Sequence, residues 1–336
     1  MGVQAPEASA RRIRQQLDLP DSAQAGLEVL AGLQPSADSL QLPDDAEAVD
    51  AMRWLDISPV DRADVLSARP SRTDDEGVWW IIERCGRQLR ATMGSTGPLS
   101  DWPDLSGYGP VGRFAYVWVF VAALPAVRAY HAERGISPEV SREILRVIAD
   151  QMANRRAIFG TGGLHTQNWV THHFRGAIYA LGRLHCERLV LAPGTVVDDG
   201  GPGSGDAVLG LHIPEGRLTP ESVDASLSAA SIFFGRHFPE ESYRYAVCTS
   251  WVLDPQLVEY LGAETNIIRF QQRFTLRPAG STDDAATVVE FLFKRPLAQL
   301  HDLPRSTTLQ RAVVDHIEAD RPWHFRTGWL RLPEGD

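Results

Sequence analysis

Residues 210–230, GLHIPEGRLTPESVDASLSAA, concentrate the chain's most suggestive chemistry. An apolar run ends at His212-Ile213-Pro214, a Gly216-Arg217 turn follows, and Thr219-Pro220-Glu221 opens a helix. The first N–H groups of a helix lack internal partners, and its dipole makes that end positive. Glycine lets a ligand approach the backbone closely, and arginine adds a fork of donors. Gly216, Arg217, Leu218 and Thr219 would therefore seat an anion such as the pyrophosphate of a cofactor. The same residues also make an ordinary helix start. Thr219 suits the N-cap, Pro220 the first helical position and Glu221 the positive end of the dipole. Val223, Leu227, Ala230 and Phe234 form a plain core stripe behind them. Both readings stay open.

The remaining chemistry-bearing residues are sparser. His165, His172 and His173 form the histidine cluster. They lack the His-Glu-x-x-His spacing of a zinc site, so no metal is expected. His172, Arg175 and Tyr179 fall on one stripe of a predicted helix. GTGG at 160–163, preceded by Arg155 and Arg156, is read as a helix C-cap, although a loop covering a cofactor has the same composition. Ser204 in GPGSGD does not satisfy Gly-x-Ser-x-Gly, because Pro202 stands at the first position, and a hydrolase is discarded.

Composition bounds the function. A chain of 336 residues is comfortable for two domains. A net charge of −10 argues against a nucleic-acid partner. Cys85, Cys186 and Cys248 are far apart and odd in number, which suits a reducing cytoplasm better than a disulfide framework. No signal peptide is apparent in MGVQAPEASARRIRQQL. The longest apolar run, Phe114 to Val127, is shorter than the ~20 residues a bilayer needs, so it is read as a buried helix stopping near Pro125 with no membrane partner. Lys294 is the sole lysine.

The elements that must position these residues divide into two regions. Residues 1–128 are expected to form a helical domain, from the 3.6-residue apolar spacing of ASARRIRQQLDL, AQAGLEVLAGL and DEGVWWIIERCGRQLRATMG. Residues 129–336 begin with helices, one capped by Ser137-Pro138-Glu139 and one spanning QNWVTHHFRGAIYALGRL. The period then shortens. CERLVLAP, DAVLGLHIP, YAVCTSWVL, NIIRFQQRFTL, TVVEFLFKRP and WHFRTGWLRL are predicted strands, interrupted by helices at SVDASLSAASIFF and STTLQRAVVDHIEA. GTVVDDGGPGSGD is predicted to be an exposed hairpin loop. The fold class is α+β: a helical N-terminal domain, then a mixed sheet flanked by helices.

The stretches LGRLHCERL (181–189), LHIPEGRLTPESVDASLSAASIFF (211–234), SWVLDP (250–255) and NIIRFQQRF (266–274) resemble, in order and spacing, a bacterial acyltransferase family. That family joins a helical N-acyltransferase domain to a GNAT-like C-terminal domain. The resemblance implies a GNAT-type sheet, acetyl-coenzyme A or another acyl-coenzyme A as donor, and a small-molecule or peptide amine as acceptor. The usual Arg/Gln-x-x-Gly-x-Gly/Ala loop is irregular here. Its nearest text, Arg156 to Gly162, is one residue too long and follows a helix. Direct transfer needs a base for the amine and an acid for the leaving thiolate. Histidine is the residue type suited to a base, which points to His212, and Tyr243 or Tyr245 would be the acid. Ser250 and Cys248 lie on the neighbouring predicted strand, Cys248 offering a covalent route. For His212 and Ser250 the plain reading is a satisfied core histidine and a strand residue. The alternative function is a non-catalytic module of the same fold that binds acyl-coenzyme A or a partner protein.

Overall fold

The computed structural model describes residues 6–33, 40–193, 200–277 and 282–333. Two compact units emerge, Met1–Ala177 and Ile178–Asp336.

The first unit is helical. Its elements are α1 (Pro6–Gln16), α2 (Gln24–Gly32), α3 (Asp45–Trp54), α4 (Pro59–Ser67), α5 (Glu76–Ala91), α6 (Gly109–Glu133), α7 (Pro138–Leu145), α8 (Val147–Phe159) and α9 (Gln167–Phe174). Local chemistry sets most of the starts. Asp44 and Glu47 form a reciprocal capping box on α3, and Ser58 and Ser137 cap α4 and α7 with a proline next in line. Helix α6 is apolar nearly all round, and such a helix belongs inside a core. By length and composition it would cross a membrane, yet 67% of its most apolar window is buried within the protein.

Two expectations fail in this unit. Helix α6 does not stop near Pro125 but runs to Glu133. The missing N–H costs one helical bond, and burial of Leu124, Val127 and His131 holds the remaining turns. The boundary falls at 177/178, not at 128/129. Helices α7 and α9 pack on α6, with the Phe120 and Phe174 rings 4.7 Å apart, so residues 129–177 complete the helical core. The Gly160 cap is as expected: it takes φ +70° and donates its N–H to Arg156 O at 3.0 Å.

The second unit is a mixed sheet with helices. Its strands are β1 (Ile178–Leu181), β2 (Leu184–Val190), β3 (Ala207–His212), β4 (Tyr245–Ser250), β5 (Thr275–Leu276), β6 (Thr282–Asp283) and β7 (His324–Arg331). Its helices are α10 (Pro220–His237), α11 (Asn266–Gln271), α12 (Ala285–Phe293) and α13 (Thr308–Glu318). The strand order is β1-β2-β3-β4-β7-β5, with β6 also on β7. Among the described residues all pairs are antiparallel except β3 and β4, which are parallel and joined through α10. Val208, Val247 and Trp329 make one core cluster, and Tyr179 packs its ring within 5.0–5.7 Å of Phe233, Phe234 and Phe238.

Three predicted segments differ. QNWVTHHFRGAIYALGRL is not one helix: α9 ends at Phe174, Gly176 takes φ +73°, and Ile178–Leu181 pairs with β2. Tyr179 is therefore a buried strand residue and leaves the expected His172–Arg175 stripe. NIIRFQQRFTL is mostly α11, and TVVEFLFKRP is α12 followed by a turn. Short apolar runs suit a strand or a buried helix equally, and packing decides. Asp254 caps the turn after β4 through Gln256 N–H at 3.0 Å, as its Asp-Pro pair implies. The predicted hairpin loop lies partly outside the described residues, at 194–199.

Candidate active site

The parallel pair β3–β4 has a short register, Leu209 with Ala246 and Gly210 with Val247. Beyond it the last residues of β3 and β4, His212 and Thr249–Ser250, have no mutual pairing. In open mixed sheets, ligands bind outside the carboxyl ends of such strands. The loop 213–219 and the start of α10 sit at that end.

The loop is held from behind. Arg183, on the β1–β2 turn, donates to three loop carbonyls: Pro214 O at 2.7 Å, Gly216 O at 2.8 Å and Arg217 O at 3.0 Å. The fork draws these acceptors to one side. Among the described residues nothing accepts the backbone N–H of Glu215, Gly216, Arg217 or Leu218. Gly216 takes φ +126°, a geometry that disfavours any side chain. Leu218 is buried and anchors the loop, whereas Arg217 is exposed. Thr219 and Ser222 form a reciprocal capping box, at 3.2 and 3.1 Å, at the start of the 18-residue α10. Lys294 lies 3.3 Å from Glu215, adding a cation beside the loop.

Glu187 of β2 stands opposite Gly210 of β3, and His185 opposite His212. All four residues share one sheet face, and diagonal neighbours come within reach. Gly210 leaves the space: a Cβ there would meet Leu189 at 2.6 Å and Glu187 at 3.3 Å. Glu187 therefore reaches His212, whose Nε2–H donates to the carboxylate at 2.9 Å. With Nε2 protonated, Nδ1 is the basic nitrogen. His212 is about one-third exposed, while Glu187 is buried. Burial first, then the His212 and Arg183 charges, push His185 down to about 4, so a neutral ring sits beside His212.

Burial likewise lowers His131 of the helical unit to about 4. Both histidines favour the neutral form when folded, and the unfolded chain binds more protons between about pH 6.5 and 4. Stability is thus complete above about pH 6.5 and is lost as pH falls toward 4, by up to roughly 3 kcal/mol per histidine. Urea midpoints across this range check the prediction. A flat profile would mean that neither ring is held neutral.

The other predicted site residues do not join the Glu187–His212 pair. Cys248 is buried and desolvation pushes its thiol up to about 12, so it supplies no thiolate at neutral pH and the covalent route is withdrawn. Cys248→Ala is expected to retain turnover, and iodoacetamide to leave native Cys248 unmodified; a dead variant would reinstate the nucleophile. Tyr245 begins β4 at the end remote from His212, level with Val208. Its hydroxyl donates to Gly200 O at 3.0 Å and its ring packs on Trp329, which makes it a structural residue and not the acid. The Tyr243 hydroxyl donates to Glu241, and burial raises it further from ionisation. Ser250 Oγ accepts the Val252 N–H at 3.1 Å, turning the chain out of β4. Arg183 and Glu187 were missed by sequence reasoning. Both lie inside LGRLHCERL, but only the strand register shows what Glu187 faces and only the folded turn shows which carbonyls Arg183 holds. Among the described residues no three His, Cys, Asp or Glu side chains group as metal ligands.

Residues 178–330 match the GNAT-like C-terminal domain and residues 46–176 the N-acyltransferase N-terminal domain. The fold and the parallel-strand site thus define a GNAT-like acyltransferase. A search of curated proteins found no match. Among solved structures, this chain is similar to an acyltransferase in complex with decanoyl-CoA and teicoplanin. The two share 36% identity over 97% of this chain and 100% of that one, with a TM-score of 0.85. It is equally similar to an acyltransferase in complex with CoA and 10C-teicoplanin, with the same identity, coverage and TM-score. A mutant acyltransferase in complex with octanoyl-CoA matches at 36% identity, the same coverage and a TM-score of 0.84. The chain belongs to the N-acyltransferase family that joins these two domains.

Proposed function

We propose that this chain moves a medium-length acyl group, longer than acetyl, from coenzyme A to an amine of a glycopeptide-like small molecule. The observation that carries the reading is the unpaired ends of β3 and β4 next to a loop whose backbone N–H groups no described residue accepts. Such N–H groups at a helix start, with Arg217 and Lys294 nearby, suit a pyrophosphate. The likeness to acyltransferases holding octanoyl- and decanoyl-CoA, and to one holding teicoplanin, supports the chain length and the acceptor class. Nothing among these relatives favours the non-catalytic module.

In this reading His212, oriented by Glu187, takes the proton from the attacking amine at Nδ1. The C–N bond forms, the thioester C–S bond breaks, and the imidazolium returns its proton to the departing thiolate. Ser250 keeps its O–H to donate at the end of β4. A cytoplasmic location, consistent with three free buried cysteines, belongs to the same proposal.

Thermal shift with coenzyme A thioesters from C2 to C12 tests it. Ligand at about 100 times its dissociation constant adds about 2.7 kcal/mol. The largest shift is expected at C8–C10, with amine-dependent thiol release on a glycopeptide. Equal shifts across all chain lengths would remove the chain-length claim, and binding without release across a broad amine panel would restore the non-catalytic reading.

A further inference from the structure

The helical unit contains a buried arginine, Arg155, that no carboxylate among the described residues pairs with. Among the described residues three arginines are deeply buried: Arg155, Arg175 and Arg188. Arg188 pairs with Glu241, and Arg175 donates to Gly97 O at 2.8 Å. Arg156, next along α8, binds Asp61 and Asp64. Arg155 is 7% exposed, its buried Nε–H finds no acceptor among the described residues, and no described carboxylate forms an ion pair with it. Its guanidinium lies 5.0 Å from the centre of the Phe159 ring, which offers no formal counter-charge.

A second guanidinium stands beside it. Arg113, in the first turns of α6, repels Arg155 electrostatically and donates Nε–H to Gly162 O at 3.1 Å. Asp104 opposes this, but it is the weakest of the influences on Arg155, and its oxygens already accept from the N–H and hydroxyl of Ser106 at 2.8 and 2.9 Å. Gly163, at φ +138°, presses the loop backbone against both arginines. A Cβ there would lie 2.8 Å from Arg113 Cβ and 2.9 Å from Arg155 Nε. The N–H groups of Thr161, Gly162 and Gly163 donate to no described residue. Donors thus accumulate around 161–163 without acceptors, and a buried cation without a counter-charge is unfavourable by itself.

We propose that Arg155, Arg113 and the 161–163 backbone form an oxyanion subsite in the helical unit, which takes a phosphate or carboxylate group of a substrate. Both groups match the planar guanidinium fork. The naming of a substrate rests on the acyltransferase reading; the anion site itself does not.

The anion test uses the full chain and inorganic probes. Melting is followed in sodium phosphate and sodium acetate against sodium chloride at equal ionic strength, for the wild type, Arg155→Met, Arg155→Lys and Arg113→Gln. Arg217→Ala separates any contribution of loop 213–219. The wild type is expected to gain stability from phosphate or acetate beyond chloride. Arg155→Met should lose that gain while melting in chloride no earlier than the wild type, because it removes an unpaired buried charge. Arg155→Lys should keep part of the gain and Arg113→Gln should reduce it. A wild type that responds to neither anion overturns the subsite. So does an Arg155→Met that keeps the response, or one that melts earlier in chloride while Arg113→Gln responds as the wild type. KM values then find the source. A rise for acyl-coenzyme A but not for acyl-pantetheine marks a cofactor phosphate. A rise for a carboxylate-bearing acceptor but not for its amide marks the acceptor. Loss of the anion response with neither KM changed overturns the substrate assignment and leaves the acyl-transfer reading intact.

Discussion

Replacing His212 with alanine is expected to lower acyl-transfer turnover about 10²–10⁴-fold, the usual contribution of a general acid–base group. Affinity for acyl-coenzyme A should hardly change, because the proton comes from the amine and not from the cofactor. Glu187→Gln should show a large share of the same loss. An amide still fills the place of the carboxylate at 2.9 Å from Nε2 but no longer stabilises the imidazolium. It also leaves the ring tautomer undefined. The diagnostic is a matched set of measurements on both variants: melting temperature, cofactor affinity and amine-dependent thiol release. If His212→Ala only melts earlier and turns over normally at low temperature, the dyad is a structural polar pair and the site assignment is wrong.

Arg183→Ala should act on binding. One side chain holds the carbonyls of Pro214, Gly216 and Arg217, so its removal frees the loop that is to present its N–H groups to pyrophosphate. A hydrogen bond to a charged group contributes about 1.5–3 kcal/mol. Loss of one such interaction's worth of loop order corresponds to roughly 10–100-fold in KM for the acyl donor. The effect on kcat at saturation should be much smaller, since His212 and Glu187 stand on strands the loop does not hold. Isothermal titration with coenzyme A and with pantetheine separates the causes. Only the pyrophosphate-bearing ligand should lose affinity. Equal weakening of both, or a fall in stability with unchanged affinity, would make Arg183 a brace and nothing more.

Much of this architecture was legible in the amino-acid order. Caps are local: Ser137, Thr219 and Asp254 mark their helix starts because an oxygen, a following proline and the next N–H groups lie within a few residues. The strand–turn–helix at 207–220 was visible for the same reason, and so was the two-part organisation, from the change of apolar period. What the sequence could not carry was which residues meet across strands. The Glu187–His212 pair depends on the register of β2 on β3 and on the missing side chain of Gly210, and a one-residue slip would turn Glu187 to the other face. Tyr245 and Cys248 carry the chemistry of an acid and a nucleophile in the sequence. Position along β4 and burial take those roles away. The boundary at 177/178 and the uninterrupted α6 are tertiary decisions too, because packing against α6 outweighs one lost hydrogen bond at Pro125 and draws α7 and α9 into the helical core.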